Sequence, residues 1–144
     1  MKNTFVRREA KIIFTQEGYD ELLKTREKLQ NERPEAVKNL REAREMGDLS
    51  ENGYYKAARA KLSFIDSRIR NNDRLIRLSV VKNTVTGDTV EIGSRVAVTH
   101  GKTSSEYTIV GSYESNPSRK TISHLSPIGK EDMGKREGDK VEVQ

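Results

Sequence analysis

Asp48 and Glu51 stand three residues apart in the run Gly47-Asp48-Leu49-Ser50-Glu51-Asn52. Across the start of a helix that spacing can bring two carboxylates to one side. Hard oxygen donors of this kind suit Mg²⁺, which keeps several waters and takes only one or two protein carboxylates. Two carboxylates alone hold such an ion weakly, so the chemistry makes sense where a second molecule supplies the remaining ligands. Glu42 and Glu45, just upstream, add to the negative charge. A purely local reading stays open beside this one. Asp48 or Ser50 can cap a following helix, and Glu51 can be a first-turn residue favoured by the helix dipole.

These residues need a rigid turn, and the flanking sequence supplies two amphipathic segments to hold it. From Tyr19 onward the chain is rich in Glu, Lys, Arg, Ala and Leu, with apolar positions at Tyr19, Leu22, Leu29, Ala36, Leu40 and Ala43. Arg26 and Arg33 fill two seam-like places with their aliphatic stems. Thr15 reads as the N-cap, Gly18 as an imperfect first-turn residue, and Pro34 as the site of a kink or short break. Gly47 ends the segment, and Asp48-Leu49-Ser50 reads as a turn that also caps the next helix. The second segment is more regular: Tyr55, Ala58, Leu62, Ile65, Ile69, Asn72 and Ile76 step by three and four. That is the seam of a two-helix coiled coil, and a short turn between such arms makes them antiparallel. Arms of about 30 residues would each run roughly 45 Å at 1.5 Å per residue.

After Leu78 the texture changes to Val and Ile among Thr, Gly and Ser, with period-two alternation in Arg95-Val96-Ala97-Val98-Thr99. Thr86-Gly87-Asp88, His100-Gly101-Lys102 and Asn116-Pro117-Ser118 are turn signals. The expected fold class is therefore α+β. An antiparallel helical hairpin occupies residues 1–78, with an acidic tip near 47–52, and a small β-rich domain occupies 79–144.

Charged residues make up 34% of the 144 and hydrophobic ones 33%, a balance that suits a thin seam and a small core better than one thick core. The chain has no cysteine, which excludes a disulfide framework and a thiolate metal site. Charges at Arg7, Arg8, Glu9 and Lys11 interrupt any signal-peptide core, and no stretch approaches the roughly 20 apolar residues of a membrane span. A cytoplasmic protein with no membrane partner is expected. The surplus positive charge is all in the first half: residues 1–80 carry 18 Lys/Arg against 13 Asp/Glu, and residues 81–144 carry nine of each. The second arm from 56 to 77 holds Lys56, Arg59, Lys61, Arg68, Arg70, Arg74 and Arg77 against only Asp66 and Asp73. An acidic point on a basic shaft suits a polyanionic partner. His100 and His124 have no second ligand at metal spacing and receive no role.

The hexapeptide Gly47–Asn52, followed by Tyr55 and Ala57-Ala58, resembles the tip signature of the GreA/GreB transcript-cleavage factors. Arg33-Pro34-Glu35, Ser126-Pro127-Ile128-Gly129 and Gly138-Asp139 resemble further stretches of that family, so that the likeness spans roughly residues 12–143. It is GreA-like in kind. The resemblance implies a coiled-coil hairpin that passes down the secondary channel of bacterial RNA polymerase. It also implies a second domain similar to FK506-binding proteins that docks at the channel rim. Asp48 and Glu51 would then help the polymerase hold a weakly bound second Mg²⁺ for cleavage of the backtracked RNA 3′ segment. The factor would be no enzyme in itself, would bind no metal tightly when free, and would act as a monomer. Leu49, Ser50 and Asn52 would support the tip, Lys56 and Arg59 would lie near the nascent RNA, and Ser126 and Pro127 would dock on polymerase.

The chain departs from the family at Gly53 and Tyr54, where Ala and Glu are usual, and at Glu131-Asp132, where small or apolar residues are usual. It stops at Val141-Glu142-Val143-Gln144, where the family commonly continues through a Pro-Gly-Gly turn into a last strand, so an exposed sheet edge is expected. Two other functions fit the same outline: a Gre-like inhibitor that plugs the channel, and a non-catalytic hairpin that binds nucleic acid or protein. A free-standing prolyl isomerase fits poorly, because Tyr107 and Tyr113 are the only aromatics after Leu78.

Overall fold

A computed structural model describes residues 9–47, 51–82 and 87–141. The chain divides into two compact units, Asp20–Arg77 and the chain on either side of it. A short strand β1 (Ile12–Thr15) leads into helix α1 (Gln16–Arg44), and helix α2 (Gly53–Leu78) leads into β2 (Ser79–Lys82). Strands β3 (Arg95–His100), β4 (Thr103–Val110) and β5 (Thr121–Ser123) follow, and a short helix α3 (Pro127–Asp132) closes the order. Helical hairpin followed by small strand-rich region is the α+β arrangement expected.

Within the hairpin the seam buries as the period requires. Leu29, Ala36, Leu40 and Ala43 of α1 are buried, and all seven seam members of α2 are buried or half-buried. Three contacts tie the arms together. The Asn72 side-chain amide donates to the Leu22 carbonyl at 2.9 Å, the Arg33 guanidinium donates to the Asp66 carboxylate at 2.6 Å, and the Asn52 side-chain amide donates to the Ala43 carbonyl at 3.0 Å. Each pairs an early residue with a late one, which makes the arms antiparallel. Helix α1 runs through Pro34 without interruption, so the expected break is absent. The lost donor and the ring crowd one turn only, and Leu29 and Ala36 are buried on either side of it. The Arg33 hydrogen bond holds Asp66 below the usual carboxylate range. That tie stands above the ordinary aspartate pKa and is lost as pH falls through the lowered value; at this exposure it contributes little.

Asn72 is the polar member of the seam, 6% exposed. A buried amide in a coiled-coil seam fixes register at a cost in stability. Asn72→Leu is expected to raise hairpin stability by about 1–2 kcal/mol. The same change loosens register. A higher Tm together with a broadened set of inter-arm crosslinks checks both parts.

The second unit begins upstream of the hairpin, which sequence reading did not foresee. Strand β1 pairs in parallel with β2, Ile12 opposite Ser79 and Thr15 opposite Lys82. Ile13 packs against the core of Ile92, Tyr107 and Ile109, joined by Val90, Val96, Val98, Ile122 and Met133. Strand β4 lies between β3, antiparallel to it, and β5, parallel to it. The Glu114 carboxylate gathers three donors: the Thr15 amide at 3.0 Å, the Gly111 amide at 2.9 Å and the Thr15 hydroxyl. Thr15 is also the expected cap of α1, its hydroxyl oxygen accepting from the Gly18 amide at 3.1 Å. Glu114 explains Gly18 in that first turn, since a Cβ there would strike its carboxylate. Gly111 has no room either, because a Cβ would meet the Ile13 carbonyl.

Candidate functional site

The tip of the hairpin is organised by Asn52. Its side-chain oxygen accepts from the Tyr55 amide at 3.0 Å and its backbone carbonyl accepts from the Lys56 amide at 3.1 Å, which makes it the N-cap of α2. Its amide nitrogen at the same time holds the last turn of α1 through the Ala43 carbonyl. One side chain thus starts the second arm and ties it to the end of the first.

This changes the meaning of the tip carboxylates. The expected cap from the Asp48-Leu49-Ser50 turn is replaced by Asn52, and Glu51 lies ahead of the cap, outside the helix. The first turn of α2 contains no acidic residue. Glu51 is exposed. Capping therefore does not account for Glu51, which still lies near the positive end of the helix dipole. Asp48, Leu49 and Ser50 lie outside the described residues. Among the described residues no group of three or more His, Cys, Asp or Glu side chains is placed to hold a metal ion.

Gly53 begins α2 and Tyr54, a residue 48% exposed, follows it. Tyr55 is half-buried at the start of the seam, a packing position. Lys56 and Arg59 are both exposed, and three-residue spacing places them on one flank of α2.

In the second unit the side chain of Ser126 is committed to structure. Its oxygen caps α3 by accepting from the Gly129 amide at 3.1 Å, and its hydroxyl donates to the Ser123 carbonyl at 2.7 Å. Pro127 occupies the first helical turn and is exposed. The residues that sequence reading missed here are Leu125 and Ile128, 54% and 41% exposed on either side. The signal was present, as two large apolar residues flanking the Ser126-Pro127 turn. His124 is half-buried, and burial lowers its pKa. Among the described residues no helix is long and apolar enough to cross a membrane.

Comparisons with known proteins agree with this geometry. Residues 12–81 match the GreA/GreB family model described as transcription elongation factor, N-terminal, and residues 85–144 match the model of the family's C-terminal domain. The transcription elongation factor GreA of a Nitratiruptor species is 41% identical over 140 residues, 94% of this chain and 86% of that protein. GreA of Mycoplasma capricolum subsp. capricolum is 41% identical over 139 residues, 92% of this chain and 88% of the relative. Among solved structures, that of the transcription factor Gfh1 has a TM-score of 0.52 at 25% identity, covering 95% of this chain and 90% of its own. GreA factor homolog 1 of Thermus thermophilus gives 0.49 at 26% identity, covering 92% and 89%. With both domain models matched in order over nearly the whole length, the chain belongs to the GreA/GreB family of transcription elongation factors.

Proposed function

We propose that this chain enters the secondary channel of bacterial RNA polymerase through its hairpin and stimulates the polymerase's own Mg²⁺-dependent cleavage of backtracked RNA, rescuing arrested complexes. The observation that carries the reading is Asn52. Asn52 takes the cap of α2, and Glu51 stands just ahead of it as an exposed carboxylate at the tip of a stapled hairpin. Asp48 and Glu51 would lend oxygen ligands to an ion whose other ligands come from polymerase. The fit is that of a partial donor set, an exposed carboxylate at the hairpin's end with no third ligand beside it among the described residues. When bound there, the ion supplies Lewis-acid help to the attacking water and to the leaving oxygen of an RNA phosphodiester.

The other residues have supporting parts. Asn52 sets the tip geometry, and Leu49 and Ser50 would support the tip in the complex. Lys56 and Arg59 place positive charge where extruded RNA would pass. Docking on polymerase falls to Pro127 with Leu125 and Ile128, while Ser126 holds that turn in shape. The protein acts as a monomer in the cytoplasm, where polymerase works.

The test is RNA cleavage in a stalled, backtracked elongation complex with Mg²⁺. Shortening of the RNA from its 3′ end, faster with the protein than without, is the expected result. Binding to polymerase without faster cleavage would make the chain a channel-plugging inhibitor. Failure to bind polymerase would leave a hairpin module for some other partner.

A further inference from the structure

Strand β3 forms one rim of the three-stranded sheet, with β4 on one side and, among the described residues, no strand on the other. Its hydrogen bonding alternates. The Ile109 amide donates to the Ser94 carbonyl at 2.9 Å, so in the antiparallel register Val96, Val98 and His100 exchange bonds with β4. Arg95, Ala97 and Thr99 therefore turn their N–H and C=O groups outward, and all three residues are exposed. Such a rim is a template for another strand, and the devices that usually block one are missing here. Between Arg95 and Thr99 there is no proline and no bulge. The single charge in that run, Arg95, is already paired with Glu106 of β4.

The side chains say which strand fits. Val96-Ala97-Val98 reads the same in either direction. A second β3 laid antiparallel across a two-fold axis at Ala97 sets Ala97 against Ala97 and Arg95 against Thr99. The outward groups of all three residues then meet in hydrogen-bonded pairs. On the opposite face Val96 meets Val98, twice, in the close non-hydrogen-bonded pairs where β-branched side chains pack. Both valines already pack on the core of Ile92, Tyr107 and Ile109, so a second copy would lengthen an existing apolar layer. No like charges face each other in this register, and the two alanines on the axis leave room for the approach.

We propose that the free protein self-associates through β3, two sheets joining rim to rim into one, so that the partner of this edge is a second copy of the chain. A strand pair this short covers well under the roughly 800 Å² a side of a standard interface, so the dimer is weak and depends on concentration. The monomer remains the form that acts on polymerase, and the inference does not rest on the cleavage reading.

Sedimentation equilibrium of the full-length protein, from micromolar to millimolar concentration, is the test. Wild type is expected to pass from monomer to dimer. Thr99 is the probe, because its neighbour across the axis is Arg95. Thr99→Glu should tighten the dimer about fivefold and Thr99→Lys weaken it about fivefold, since each change enters twice by symmetry. Ala97→Pro should abolish it; the N–H it removes points outward, so the protein's own ladder stays whole and an unchanged Tm checks the fold. The chain has no cysteine, so single cysteines report the register. Under mild oxidation Ala97→Cys should crosslink faster than Arg95→Cys or Thr99→Cys, because position 97 alone faces itself. A wild type that stays monomeric to millimolar concentration overturns the proposal, whether the rim is then covered by a segment of the same chain or by solvent. A dimer indifferent to the charge at Thr99, or one that crosslinks best at Arg95→Cys or Thr99→Cys, has another interface and overturns it too. None of these measurements involves polymerase, so their failure leaves the cleavage reading standing.

Discussion

Asp48→Ala/Glu51→Ala is expected to abolish stimulation of RNA cleavage, by about a hundredfold or more, while polymerase binding stays within a few-fold of wild type. The asymmetry follows from where the work is divided. On the proposed function, docking would belong to the second unit and to the shaft, whereas the tip pair would offer only oxygen ligands. Glu51 is not needed to cap the second arm: Asn52 supplies the cap and the inter-arm tie, and Glu51 precedes the helix. The double variant should therefore keep its helical content and its Tm. Asn52→Ala gives the opposite pattern. It removes the cap and the bond to Ala43 together, costing about 1–2 kcal/mol, so that cleavage falls through a loosened tip even though both carboxylates remain. Measuring cleavage, polymerase affinity and thermal unfolding on both variants separates ligand donation from tip architecture. Unchanged cleavage by the double variant would sink the ligand-donating reading.

The hairpin was legible because its signal is local and repeated. Steps of three and four sustained from Tyr55 to Ile76 leave no other element to choose; Thr15 marked where the first helix had to start, and Gly47 and the β-type runs after Leu78 where the helices had to stop. What escaped was whatever depends on a distant partner. Ile12-Ile13-Phe14 is too short a run to declare itself a strand; it becomes one because β2, on the far side of the whole hairpin, pairs with it. Pro34 read as a break because sequence shows the missing donor and not the packing that bridges it. The cap at Asn52 was overlooked because two other capping residues, Asp48 and Ser50, stand ahead of it in the same run. At Asp132 the sequence offered only a charge where the family usually carries a small or apolar residue, with no sign of the phenol that receives it.

That phenol makes Asp132 the sharpest test of the second unit. Asp132 is 3% exposed and accepts a hydrogen bond from the Tyr107 hydroxyl, and Tyr107 belongs to the core with Ile92 and Ile109. A buried carboxylate is tolerated only with such a donor. Tyr107→Phe keeps the ring and removes only the donor, leaving the carboxylate without that partner. The expected cost is about 3 kcal/mol, seen as a fall in Tm of about 10–20 °C for a unit of this size. Removing both partners together is less damaging. The Tyr107→Phe/Asp132→Leu double variant should recover most of the loss, which a double-mutant cycle reads directly. The pair also sets an alkaline limit. Burial, then the hydrogen bond to Asp132 and its charge, raise the phenol's pKa well above the ordinary tyrosine value. Its contribution is intact below about pH 10 and declines as pH rises past that point, because the unfolded chain ionises where the folded one resists. Alkaline unfolding should therefore begin earlier in the wild type than in the double variant, relative to their stabilities at pH 7. Equal alkaline profiles would mean that the phenol is not held neutral by this pair.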